Sequence, residues 1–142
     1  MQDETINIAN EQEAAVGILF ACILHHNPSL SEGQIEHVSR MLVLSSKFAG
    51  HSLHELTVKA LKLQSVHGSK LLIERSAPHI TENFRETLFA MACEMITFKG
   101  NIAEDESEII AMTALYLGLS IEVMKMMLTT YLIRNRWNVQ VI

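Results

Sequence analysis

The stretch TFKGNIAEDESEIIAMTALYLGLS, residues 97–120, reads as a turn, an acidic helix start, an apolar helix body and a stop, in that order. The turn is Lys99-Gly100-Asn101. Asn101 is predicted to cap the helix, with Glu104 reaching back to its amide in a capping box. Glu104, Asp105, Glu106 and Glu108 crowd the first turn and a half, where exposed backbone amides favour negative charge. Ile109, Ile110, Met112, Ala114 and Leu117 form the apolar body, and Gly118 is placed to end it in a left-handed conformation.

Working outward, the same grammar recurs on both sides. Ser120 caps a last helix to about Asn135, and Trp137–Ile142 is a short apolar tail expected to dock on the bundle. Upstream, Thr81 is predicted to cap a helix from Glu82 to about Thr97, with Phe84, Leu88, Met91, Ala92 and Met95 inward. His67-Gly68 and Ala77-Pro78 break the chain around a short turn or helix at Lys70–Arg75. Ser52 with Glu55, and Ser31 with Gln34, are further capping boxes, opening helices to about Ser65 and about Phe48. In the second of these, Ile35, Val38, Met41 and Leu42 form the inward stripe, leaving Glu36, His37 and Arg40 outside it. From Glu11 to about His25 the chain is apolar nearly all round, as a central buried helix must be. Sustained alternation of period two is absent. The expectation is an all-α, single-domain bundle of about seven helices over residues 11–142, preceded by a flexible N-terminus over 1–10.

The totals agree with that reading. The 142 residues are 49% hydrophobic and 19% charged, with two prolines and six glycines. Such a chain is one globular domain and not a disordered segment. Eleven basic against sixteen acidic residues gives a net charge of −5, which disfavours a nucleic-acid surface. The apolar runs Ala14–Leu24 and Ile109–Leu117 are too short for a bilayer, which needs about 20 residues. No signal peptide is apparent, and two widely separated cysteines read as reduced thiols in the cytoplasm.

The two halves resemble each other. LFACILHHNPSLSEGQIEHV, residues 19–38, lies over LFAMACEMITFKGNIAEDESEII, residues 88–110, with a three-residue gap. Leu30 then matches Ile102, Glu32 matches Glu104, and Gln34 matches Glu106. Repeat one covers about 12–65 and repeat two about 82–135, as in duplicated helical hairpins that bury their faces against each other.

Gly100-x-Ile102-x-x-x-Glu106, followed by Leu117-Gly118-Leu119-Ser120, resembles the second repeat of the tellurite-resistance TerB-like family, and the duplicated layout extends the resemblance over about 12–135. It implies an all-helical fold of two pseudo-repeats, a role in tellurite and other stress responses, and an acidic surface associated with divalent metal ions. Lys99 stands where that family has the Asp of an Asp-Gly turn, and Asn27-Pro28 replaces Asp-Gly in the first repeat.

Several side chains are candidates for chemistry. A hard divalent cation needs converging oxygens, and Glu104, Glu106, Glu108 and Glu94 are the candidate metal set. Glu32, Glu36, Asp105 and Trp137 are the candidate partner-binding residues. His51 and His54 stand at i,i+3 beside Glu55, but a zinc-protease helix needs a second histidine four residues after the first, and Val58 occupies that position. Cys22 and Cys93 have no C-x-x-C partner and read as core thiols. Lys59, Lys62 and Lys70 read as a solvated basic face. No phosphate loop, nucleophile elbow or Ser/His/Asp set is present. The functional expectation is a non-enzymatic stress-response protein that binds a protein partner or a divalent cation through its acidic helix-start surface. The alternatives are an interaction module using an apolar groove near the C-terminal helix and Trp137, and after it an unrecognised enzyme with His and Glu side chains converging in a pocket. Either form allows homo-oligomerisation.

Overall fold

Every residue from Ala14 to Leu24 is buried in helix α1, Glu11–His26. A helix apolar on all sides needs neighbours on all sides. Four supply them: α3 (Leu53–His67), α4 (Ser69–Ser76), α5 (Glu82–Ile96) and α6 (Glu104–Tyr116) pack around it. Two more helices lie outside this cage. The α2 helix, Glu32–Leu44, rests on α5 and α3, and α7, Ile121–Asn135, rests on α5 and α6. The computed structural model describes residues 6–138, and among these the seven helices and two 3-10 turns are the regular structure, with no strand. Phe20, Ile18, Leu19, Leu72, Leu88, Phe89 and Ile109 are fully buried in the core, each contributing about 1.5–3 kcal/mol by burial.

The helix starts follow their caps. Asn10 Oδ1 accepts from the Glu13 amide at 2.8 Å, and Ser31 and Gln34 form the complete capping box that opens α2. Ser52 and Ser120 accept from Glu55 and Val123. Thr81 departs from expectation. Its side chain makes no cap bond but donates to Glu11, which also accepts the Thr81 amide, both at 2.7 Å. The same carboxylate meets Lys47 at 2.6 Å, so the start of α1 fastens the start of α5.

The expected α2 is too long. It ends at Leu44, and a 3-10 turn, Ser46–Phe48, follows once Ser45 accepts from the Lys47 amide. That turn drops Phe48 into the core, edge-on to Phe84, and leaves Lys47 over the Phe84 ring at 4.7 Å. Lys59 is not on a solvated face; it is half-buried and paired with Glu13 of α1.

The turn before α6 also differs. Ala103, not Asn101, is the N-cap, and Glu106 rather than Glu104 reaches back, accepting from the Ala103 amide at 2.8 Å. Gln34 and Glu106 therefore do the same work at the third position of their helices. At the other end, Gly118 has φ +73°, and its amide and that of Leu119 bond to Leu115 and Ala114, a Schellman stop. Gly100, φ +88°, sits so close to the end of α7 that a Cβ would lie 2.8 Å from the Asn135 carbonyl oxygen. Asn135 donates to Thr97 Oγ1 at 3.0 Å and Asn138 to the Phe98 carbonyl at 3.1 Å. The opening turn of the 97–120 stretch is thus the cradle for the end of α7.

Candidate functional site

A groove of about 700 Å3 runs between α2 and α5. It exists because α2 touches the bundle narrowly: only Val38 and Leu42 of this helix are buried. Ile35, expected inward, is exposed, and so are Val43 and Leu44. The groove's apolar surface comes from Met41 and Leu44 on one side and Met91 and Phe98 on the other. Glu32, Glu36 and Arg40 border it from α2, and Glu94 from α5.

Two contacts set its charge. His37 Nε2 donates to Glu94 at 2.5 Å, bridging the two walls, while the imidazole lies edge-on to Phe98 with centroids 5.0 Å apart. Arg40 donates to Glu36 at 3.3 Å, one helical turn away. Glu32 completes an acidic border. Burial, with the Glu94 carboxylate nearby, pushes the Tyr131 hydroxyl of α7 above its ordinary range.

The acidic residues at the start of α6 go elsewhere. Asp105 accepts from His26 Nδ1 at 2.7 Å, pinning the end of α1 to the start of α6, and that bond holds its carboxyl below the usual range. Glu106 is buried and held by Lys99 at 2.9 Å as well as by the Ala103 amide. Glu104 and Glu108 are exposed. Of the expected metal set, Glu106 therefore caps its own helix and Glu94 belongs to the groove with His37. Among the described residues no three His, Cys, Asp or Glu side chains are grouped to hold a metal ion. The physical reason is that His37 engages Glu94, and Lys99 and the Ala103 amide engage Glu106, which leaves Glu104 and Glu108 short of a third ligand.

Of the expected partner-binding residues, Glu32 and Glu36 come together on the groove with Glu94, whereas Asp105 lies at the α1/α6 junction. Trp137, expected to dock, is 89% exposed; residues 139–142 of the same tail lie outside the described region. His51 and His54 are exposed, and Cys22 and Cys93 are buried. Burial pushes both thiols up to about 12, although Cys22 also contacts the Thr113 hydroxyl at 3.2 Å.

Sequence reasoning did not single out His37, Met41, Leu44 or Phe98 as a site. One signal was present: α2 carries more apolar residues than a single inward stripe can bury, since Ile35, Met41, Val43 and Leu44 span well over half its circumference. No family model matches this chain, and no curated protein or solved structure matches it. Among the described residues no helix is long and apolar enough to cross a membrane.

Proposed function

We propose that this chain is a binding protein, not an enzyme, and that the α2/α5 groove receives a basic amphipathic helix of a protein partner. One observation carries the reading: an apolar surface of Met41, Leu44, Met91 and Phe98 with a border on which Glu32, Glu36 and Glu94 outnumber the single cation Arg40, in a single groove. Helix-in-groove recognition uses such a surface for the apolar face of the ligand. Methionine side chains adapt to differing partners because they are unbranched and polarizable. The border selects for Lys and Arg on the flanks of the incoming helix. The protein-binding form of the acidic surface is favoured over the metal form because Glu94 and Glu106 are already engaged by His37 and Lys99.

A labelled synthetic helix patterned with Leu and Lys tests this by fluorescence anisotropy. It is expected to bind the wild type and to lose at least tenfold in affinity, about 1.4 kcal/mol, with Leu44→Asp. Leu44 is exposed, so this variant keeps its fold. Equal binding of a Leu/Glu-patterned helix, or no response to Leu44→Asp, would reject the groove.

A further inference from the structure

Helix α7 has two apolar faces, and the bundle uses one. Met124, Met127, Leu128 and Tyr131 pack inward against the core. Met126, Thr130, Ile133 and Trp137 follow at spacings of four, three and four, which puts them on one outward stripe. Arg136 keeps helical backbone angles, so the stripe continues to Trp137. Met126 is 60% exposed and Ile133 56%, beside the nearly bare indole of Trp137. Lys125 and Arg136 flank the stripe on one side and Arg134 on the other, by the helical rotation of about 100° per residue. All three are exposed, and none has a salt-bridge partner among the described residues. Glu122, exposed one turn before Met126, is the one acidic residue on this face, so the outer face of α7 is an amphipathic surface of net positive charge.

We infer that this outer face of one copy docks in the α2/α5 groove of a second copy, head to tail. The inference rests on the groove reading above and names its occupant. Charge favours the match: Lys125, Arg134 and Arg136 meet a border on which Glu32, Glu36 and Glu94 outnumber Arg40, with Glu36 paired to Arg40 and Glu94 to His37. Length matches as well: the stripe from Met126 to Trp137 spans about 16 Å and the α2 wall about 18 Å, at 1.5 Å per residue. The contact is between copies because α7 is held on α5 and α6 by its inner face and by the Asn135–Thr97 bond, so its outer face points away from its own groove. Two different patches meet, which is a heterologous interface that leaves one groove and one stripe free in every dimer.

Sedimentation and light scattering on the full chain test it through complementation. Wild type is expected to gain mass with concentration, and to lose that gain at high salt. Leu44→Asp, which damages the groove, and Ile133→Asp, which damages the stripe, are each expected to stay monomeric, with association weakened at least tenfold. Mixed in equal amounts they are expected to form a dimer and nothing larger, since the mixture holds one intact surface of each kind. Charge reversal by Glu36→Arg is expected to weaken association and Arg134→Glu to restore it. A wild type that stays monomeric at millimolar concentration overturns the inference, as does a mixture of the two variants that fails to associate. If that monomer still binds the Leu/Lys helix, self-association falls and the groove reading stands; if it binds neither, both fall.

Discussion

Ser76 Oγ is the one buried side-chain oxygen or nitrogen among the described residues with no hydrogen-bond partner. It is sealed where α4 meets α1, 3.4 Å from the place a Cβ on Gly17 would take. A hydroxyl without a partner in that setting loses its hydration and gains nothing in return. Ser76→Ala is therefore expected to stabilise the fold by about 1 kcal/mol, raising the thermal midpoint by about 3–5 °C in a calorimetric scan. Gly100 gives the opposite expectation. Its left-handed φ and its closeness to the Asn135 carbonyl both exclude a side chain, so Gly100→Ala should cost about 2 kcal/mol or more in urea unfolding. Glycine there was legible as a turn, but its contact with residue 135 was not, because nothing local brings the two together.

At the scale of the element, α1 and α2 are extremes. All sides of α1 are covered, whereas α2 is held by Val38, Leu42 and the His37–Glu94 bridge. Segments with few buried contacts open by local fluctuation, and fully enclosed ones open only with the whole molecule. Amide exchange in α2 should accordingly be faster than in α1 by orders of magnitude, and His37→Ala should speed α2 further while leaving α1 nearly unchanged. Equal protection of the two helices would contradict this account. The capping residues made most helix starts legible, since Ser31, Ser52 and Ser120 act within three residues of themselves. Where an oxygen was taken by a distant group, as with Thr81 and Glu11, the local rule named the right boundary and the wrong bond.

Across the whole molecule, carboxylates at helix starts tie separate elements together. Burial pushes Glu11 and Glu13 up, but hydrogen bonds from Lys47 and Thr81 to the first, and from Lys59 and the Ala9 amide to the second, outweigh it and hold both below the usual 4.5. Asp105 is lowered chiefly by its bond from His26. A carboxyl depressed in the folded state contributes stability above its unfolded value and loses it as pH falls through the folded one. Unfolding free energy should therefore be level near neutrality and decline once pH drops below about 4.5. Glu13→Gln should lower stability at pH 7 and make that acid decline shallower, as read by denaturant titrations at several pH values.

Sequence by itself determined that the chain is all-helical, where most helices begin, and that the 11–26 segment lies at the centre. Those properties follow from the period of the apolar residues and from caps that act locally. Only the tertiary structure decided which acidic residues are engaged and which border a cavity. Glu106 serves its own helix, Asp105 reaches His26, and Glu32, Glu36 and Glu94 from two helices meet along one groove. Packing of helices distant in sequence sets those meetings, and whether a carboxylate finds a partner depends on what that packing places within about 3 Å of it.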